Sequence, residues 1–525
     1  MDALELVVVL GAAIVVGEMI GRRVRLPTPI LLLALGALLG FAPALRAVHL
    51  PSDLVLLVFL PALLYREAIV SSMREIRRSL RGVVLVSTLL VVLSAAAVAA
   101  LAHAFGMAWG PAWVLGAALA PTDATAVGAM ARLLPRRMMG VLRSESLVND
   151  GTALVLYGVA VGVTVGEETL TAGHLSWLVV LSYGGGILAG LLVALVGQQA
   201  RRRISDVLLA NTVTLVTPFA AFLLAETVEA SGVLAVVVAG LVLGRRAPRE
   251  IDAATRRVAE PFWSLGAFVL NGALFVLVGI EVQSVVRALP SDALARAVGL
   301  AVAVWITILL VRAAFLYASA YLIRALDRRP SQLARRVSNR SRIVSTAAGF
   351  RGAVSLAAAL GVPTTVSSGE AFPDRDLVVF VTAVVVVLTL VAQGLALPAV
   401  VRWARFAADD SAERERELAS RVATREALDA LPALAAELGV DDDEVALVRE
   451  RFEQNLRLRG GNASPQEISA RERSVALTLA LLGHKRATIV RLRDEQEIDD
   501  AVMRELQARI DVEELALSEG DLTLD

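Results

Sequence analysis

The chain has 525 residues, 56% of them hydrophobic and only 19% charged, with a mean hydropathy of +0.67. A soluble protein of this size needs more polar surface, so the composition is that of a membrane protein. There is no cysteine, and the four histidines (His49, His103, His174, His484) are scattered, which excludes a disulfide frame, thiolate chemistry and the usual kind of zinc site.

The net charge of zero hides a division. From Ala404 onward there are 17 basic and 28 acidic residues, so the tail is anionic and the apolar part cationic. The N-terminus, Met1-Asp2-Ala3-Leu4-Glu5, lacks the basic segment and cleavage site of a signal peptide and reads as running straight into a first span.

A bilayer core takes roughly 20 mostly apolar residues per helix, and the apolar runs give about thirteen spans. They begin near Leu4, Thr28, Asp53, Gly82, Trp109, Gly140, His174, Asp206, Ala230, Pro261, Leu294, Arg342 and Arg375. Arginine placement tests this count independently. The odd connections carry Arg22, Arg23 and Arg25; Arg74, Arg77, Arg78 and Arg81; Arg136 and Arg137; Arg201 to Arg203; Arg245, Arg246 and Arg249; and Arg328, Arg329, Arg335 and Arg336. The even ones hold only Arg46, Arg287 and Arg375. Basic loops stay cytoplasmic, so the alternation predicts an inner-membrane, multi-pass chain with its N-terminus outside and its C-terminus in the cytoplasm.

The expected architecture is thus an all-α polytopic membrane protein, with a transmembrane domain over 1–403 and a cytosolic α-helical tail over 404–525. In the tail, helical pattern runs near Ala407–Leu438, and Asp441-Asp442-Asp443-Glu444 reads as a helix start with acid at the positive end of the dipole. Ser464-Pro465-Gln466-Glu467 is a capping box ahead of apolar positions at Val475, Leu477, Leu479, Leu481 and Leu482. A last stretch lies near Glu497–Leu515. No nucleotide-binding glycine loop appears, and the tail reads as regulatory or stabilising.

Ionisable groups in hydrocarbon are costly and line a pathway or pair with each other. Inside the expected spans they are Glu67, Asp123, Glu145, Asp150, Glu226, Arg312 and Arg351. Pro121-Thr122-Asp123-Ala124-Thr125 interrupts the fifth span: proline removes a donor, and Thr and Asp are good caps for a second half-helix. Such a break near the midplane leaves free backbone groups suited to ion coordination. Glu145-Ser146-Leu147-Val148-Asn149-Asp150 opens the sixth span. Positions 146, 149 and 150 share one helical face and offer a hydroxyl, an amide and a carboxylate, hard oxygen ligands for an alkali cation. Burial disfavours a bare aspartate, so Asp150 is expected to hold either a proton or a cation. Gly349-Phe350-Arg351-Gly352-Ala353-Val354-Ser355 predicts a second break, in the twelfth span. Its arginine cannot shed its proton and needs a carboxylate, Glu145 first and Asp123 second. Breaks seven spans apart are what an inverted repeat of six helices plus one linker gives.

At these residues the chain resembles the monovalent cation:proton antiporters of the sodium/proton exchanger (NhaP-like) family. The resemblance covers Leu4 to about Arg402. It rests on Phe59-Leu60-Pro61-Ala62-Leu63-Leu64-Tyr65, Pro121-Thr122-Asp123, Glu145 to Gly151, Ser231-Gly232-Val233-Leu234-Ala235-Val236, Arg351-Gly352-Ala353-Val354-Ser355-Leu356 and Gln393-Gly394-Leu395-Ala396-Leu397-Pro398, six motifs in order. It implies Asp150 as the ion- and proton-binding carboxylate. Thr122, Asp123 and Ser146 would help complete the Na+ (or K+) shell, with Asn149 supporting it. Glu145 and Arg351 would form a buried structural ion pair. An Asn149-Asp150 pair, in place of two aspartates, resembles the electroneutral branch, one cation per proton. Family members are homodimers with an elevator-like core bundle beside a fixed one. Two positions depart from the pattern: Ala124 stands where many members have proline, and Arg66 precedes Glu67, which predicts a local Arg66–Glu67 pair and weakens a transport role for Glu67.

The function expected is Na+/H+ exchange by alternating access, with competition between the two ions at Asp150 and with the lipid bilayer as surroundings. K+/H+ exchange is the alternative, and Li+ a further cargo. A tail-gated cation channel or a non-transporting membrane sensor fits less well, since no selectivity-filter repeat is present and the ion-site cluster is intact. No nucleophile–base pair, phosphate loop, cofactor motif or nucleic-acid signature points to an enzyme or a nucleic-acid partner.

Overall fold

The computed structural model describes residues 3–24, 28–42, 55–71, 73–123, 134–166, 172–288, 291–326, 338–406, 411–459 and 465–495, with scattered residues between 503 and 517. Two compact units divide the chain, Met1–Ala407 and Ala408–Asp525.

In the first unit the described elements are all helical, apart from one isolated bridge between Thr365 and Ala371. They are α1 (Ala3–Val24), α2 (Thr28–Leu39), a π-helical turn (Val55–Phe59) leading into α3 (Leu60–Val70), α4 (Met73–Ala104), α5 (Trp109–Leu119), α6 (Arg136–Val165), α7 (Ala172–Arg203), α8 (Val207–Glu226), α9 (Gly232–Glu250), α10 (Ala253–Ala288), α11 (Ser291–Leu326), α12 (Asn339–Ala347), α13 (Ala353–Leu360), α14 (Arg375–Leu388), a second π-helical turn (Thr389–Gln393) and α15 (Gly394–Ala404). Seven of the described helices are long and apolar enough to cross a membrane, and two shorter apolar stretches, Thr28–Leu39 and Thr88–Ala104, accompany them. The expected span start at Asp53, the residues Ala124 and Thr125, the cap Ser464 and most of Glu497–Leu515 lie outside the described residues. The other expected starts fall on or beside a helix.

Local chemistry sets several of these boundaries. Asp206 accepts from Leu209 N at 2.8 Å to start α8, Ser231 from Leu234 N at 3.2 Å to start α9, and Ser338 from Ser341 N at 3.1 Å to start α12. Asp252 does the same for α10 through Thr255 N at 2.8 Å, and its bonds to Thr255 hold its carboxyl below the usual aspartate range. Glu226, expected inside a span, sits instead at the C-terminal end of α8.

The helices sort into two bundles that pack densely within themselves and sparsely with each other. Helices α1–α3 and α8–α10 join α7 in one; α4–α6 and α11–α15 make the other. From the second half the other bundle takes α11, the pair α12 and α13 on either side of a break, and α14 with α15 joined through the π-helical turn, so three spans from each half enter each bundle, with α7 as the linker. In the first bundle α2 and α10 touch backbone to backbone: a Cβ at Gly36 would overlap the Val276 carbonyl, and one at Gly279 would overlap Leu33 O and Ala37 N. Glycine is what permits that approach.

The second unit consists, in its described part, of α16 (Ser411–Leu438), α17 (Asp442–Arg459), α18 (Pro465–Asp494) and a short helical segment around Arg509–Glu514. Helix α16 packs on α17. Arg486 of α18 holds Asp511 at 2.5 Å and Glu514 at 2.6 Å, and Val475, Leu482 and Ile510 are buried in this unit.

Candidate ion site at two crossed helix breaks

Helix α5 stops at Leu119, and Pro121-Thr122-Asp123 continue without helical structure; α12 stops at Ala347 and α13 restarts at Ala353. The two breaks meet. Asp123 N donates to Phe350 O at 2.8 Å, and a Cβ at Gly352 would run into the Asp123 carboxylate. The glycine before α13 is therefore required by the carboxylate beside it.

Breaking a helix in a membrane strands carbonyls at its negative end. Two arginines, each only 1% exposed, take them here. Arg351 donates from Nε to Leu119 O at 3.0 Å, at the end of α5, and from Nη1 to Gly349 O at 2.6 Å, inside the second break. Arg312 of α11 donates from Nε to Ser345 O at 3.0 Å, near the end of α12. Its Nη1 pairs with Glu145 Oε1 at 2.5 Å.

The ion pair expected between Glu145 and Arg351 is thus placed differently: Glu145 bonds Arg312. Arg351 stays within electrostatic reach of Glu145, but its donors go to carbonyls at the two breaks, Leu119 O at the first and Gly349 O at its own. The physical reason is proximity. An arginine inside a break has unpaired backbone oxygens as its nearest acceptors, and α11 supplies the cation for Glu145. Arg312 was visible as a charge within an apolar run, but nothing in the sequence pairs it with residue 145.

On α6, Ser146, Asn149 and Asp150 lie buried on one face, Asn149 wholly so and Asp150 at 2% exposure. Asn149 Nδ2 donates to Thr122 Oγ1 at 3.1 Å, which ties α6 to the first break. Its Oδ1 is buried with no partner among the described residues. No hydrogen bond to the Asp150 carboxylate is made within the described residues. The charges of Glu67 and Asp123 both act on it. The structure brings Thr122, Asp123, Ser146, Asn149 and Asp150 into one neighbourhood, with Glu145 behind them.

It also adds Glu67. The Ser146 hydroxyl donates to Glu67 Oε1, at a long 3.4 Å, so a carboxylate from the other bundle faces the site. The predicted local pair with Arg66 is replaced: Arg66 Nη2 donates to Ser264 Oγ on α10 at 3.0 Å. Neighbours on a helix point about 100° apart, and Arg66 reaches away from Glu67. The acids do not close into a ready-made cage, since among the described residues no three acidic or imidazole side chains are grouped tightly enough to hold a metal together. The oxygens this neighbourhood offers are carboxylate mixed with hydroxyl and amide.

A helical membrane protein with two crossed helix breaks around buried carboxylates has the design of an ion-coupled transporter. Residues 8–403 match the family model described as sodium/hydrogen exchanger, transmembrane. The chain is 44% identical, over 98% of its length and 96% of the relative's, to a protein named as an uncharacterized Na+/H+ exchanger of Mycobacterium tuberculosis. It is 27% identical, over 97% of its length and 77% of the relative's, to a sodium, potassium, lithium and rubidium/H+ antiporter of Bacillus pumilus. The solved structure of the sodium proton antiporter MjNhaP1 from Methanocaldococcus jannaschii superposes with a TM-score of 0.59 at 17% identity, covering 77% of this chain and all of that one. The chain belongs to the sodium/hydrogen exchanger family, whose members are cation/proton antiporters and not enzymes.

Proposed function

We propose that this chain exchanges Na+ for H+, one for one, across the cell inner membrane by alternating access. The observation that carries the reading is Asp150: a buried carboxylate without a hydrogen bond within the described residues, set where two helix breaks cross and flanked by hydroxyl, amide and carboxylate oxygens.

Competition at that carboxylate does the coupling. A protonated Asp150 has lost the charge that holds a cation, so the site carries one ion or the other. Either occupied form is neutral enough to be moved through hydrocarbon, whereas an empty ionised carboxylate carries its full desolvation cost. Asp123, Thr122 and Ser146 supply further oxygens to the cation, and Glu67 faces it from the other bundle. Asn149 is a neutral tie to Thr122, so only one charge need be neutralised at the pair, which supports one-for-one exchange. Glu145, Arg312 and Arg351 hold the breaks in shape without touching the ion.

The two bundles, sparsely joined, supply moving parts of the size alternating access requires. The arginine alternation supports an N-outside, C-inside orientation. The unit after Ala407 is read as a cytosolic regulatory tail, and the working assembly as a homodimer in the bilayer. A second reading, K+/H+ exchange, is favoured by the Bacillus relative, whose name includes potassium, lithium and rubidium. The test of the ion is the cation profile of proton exchange in proteoliposomes at two pH values, with and without the residues after Arg405. Exchange driven by Na+ at the lower concentration supports the first reading; K+ doing so supports the second. A rate indifferent to a potassium diffusion potential supports one-for-one stoichiometry.

A further inference from the structure

Two features at the end of the first unit away from the arginine-rich connections play no part in the site above. The first is an ion pair between the bundles. Arg375, the first residue of α14, places Nη1 3.3 Å from Glu281 Oε1 on α10, and its Nε donates to Val362 O at 3.0 Å, just past the end of α13. One guanidinium thus ties the broken span to the other bundle. The two side chains are 15% and 18% exposed, so the pair is largely shielded from solvent.

The second is Tyr157. Its side chain is buried and its hydroxyl has no partner among the described residues, an arrangement that costs free energy unless something else visits it. Tyr157 follows Asp150 by seven residues on α6. That is two turns, on the same face and about 10 Å further along the axis. Arg375 lies within electrostatic reach of the Tyr157 hydroxyl. Asp150, Tyr157 and the Arg375–Glu281 pair therefore follow one another toward this end of the molecule.

The opposite direction is different. Glu67 and Asp123 are partly exposed, and Arg143, two turns before Asp150 toward the start of α6, is exposed and acts on Glu67. The side chains around Asp150 are thus partly exposed toward the arginine-rich end, whereas Tyr157 on the other side is buried.

We propose that the Glu281–Arg375 pair is the closed gate on the cation's route at this end, and that the Tyr157 hydroxyl is the oxygen a cation meets between that gate and Asp150. An unpaired Arg375 beside the route would repel a cation, and Glu281 both neutralises it and holds it across the seam. Separating the bundles breaks the pair, moves the two charges apart and leaves the carboxylate free to attract the ion. A static strut would have the same bond but no reason to leave an unpartnered tyrosine hydroxyl behind it.

The absence of cysteine makes the test direct. A Tyr157→Cys reporter in membrane vesicles is exposed to a membrane-impermeant, positively charged thiol reagent on the face that carries Arg375. That face is identified by labelling of Ala371→Cys in the exposed loop before α14. With the pair intact, labelling of the reporter is slow. Adding Glu281→Gln or Arg375→Gln speeds it at least tenfold, while Arg375→Lys, which keeps the pairing charge, stays within about threefold of the slow rate. Equal rates in all four backgrounds overturn the gate, as does fast labelling with the pair intact. A gain that is the same from both faces is general loosening and also overturns it. The gate rests on the exchange reading for its purpose, but labelling needs no transport, so a failed gate and a failed ion site give different results.

Discussion

Glu145 Oε1 and Arg312 Nη1 meet at 2.5 Å with both side chains almost wholly buried, while the neighbouring Arg351 spends its donors on the carbonyls of a broken helix. The division of labour gives the two arginines different consequences. Removing one member of a buried pair leaves an uncompensated charge and costs about 3–5 kcal/mol. Glu145→Gln and Arg312→Leu should each lower the thermal midpoint of the purified protein markedly, and the double variant should lose less than the sum of the two. Additive losses would separate Glu145 from Arg312.

Glu67 should matter to transport and Arg66 should not. The first faces Ser146 across the bundle seam; the second is bonded to Ser264. A charged hydrogen-bonding group contributes about 1.5–3 kcal/mol, so Glu67→Gln should weaken half-maximal cation concentration about tenfold or more. Arg66→Ala should change it less than threefold. Proton-exchange titrations against cation concentration decide this, and the reverse ranking would restore the reading in which Arg66 neutralises Glu67.

Gly352→Ala puts a methyl group into the Asp123 carboxylate, whereas the same change at Gly394 makes an ordinary 3.9 Å contact with the Phe350 ring. Exchange should fall more than tenfold in the first variant and stay near the wild-type rate in the second, with both proteins recovered from membranes in similar amount. Equal activity in the two would mean that the breaks do not need to cross so closely.

The pH dependence is workable at the start of α10. Bonding to Thr255 depresses the Asp252 carboxyl, so this cap is fully present above the usual aspartate range, near pH 4, and is lost as pH falls through the lowered value. Hydrogen exchange at the Thr255 amide, corrected for its intrinsic pH dependence, should show protection at pH 5 that vanishes well below pH 4 and is missing at both in Asp252→Ala. Protection independent of pH would remove the carboxylate from the cap.

Much of this was legible because membranes leave few options. Apolar runs and arginine alternation placed spans starting near Asp206 and Ala230, and helices α8 and α9 begin there, capped by Asp206 and Ser231. The Ser146, Asn149 and Asp150 face followed from helical spacing alone, and the breaks at Pro121 and Gly352 from residue type. What stayed hidden was pairing between distant spans. Whether Glu145 faces Arg312 or Arg351 depends on how α11 leans on α12, and local sequence carries no record of that. In sequence Glu67 stands beside Arg66 as a ready partner, but successive residues point in different directions around a helix, and only the packing turns Glu67 toward Ser146 and Arg66 toward Ser264. The Glu281–Arg375 contact, joining residues 94 positions apart, had no local signal at all.

The most direct test of the central claim is Asp150→Asn reconstituted in proteoliposomes with a preset pH gradient. The change keeps the side-chain shape and removes the one group at which proton and cation compete. The wild-type chain should collapse the gradient on addition of Na+ or K+, and the variant should leave it standing while still folding and inserting in similar amount. Cation-dependent collapse that survives the substitution would contradict the account.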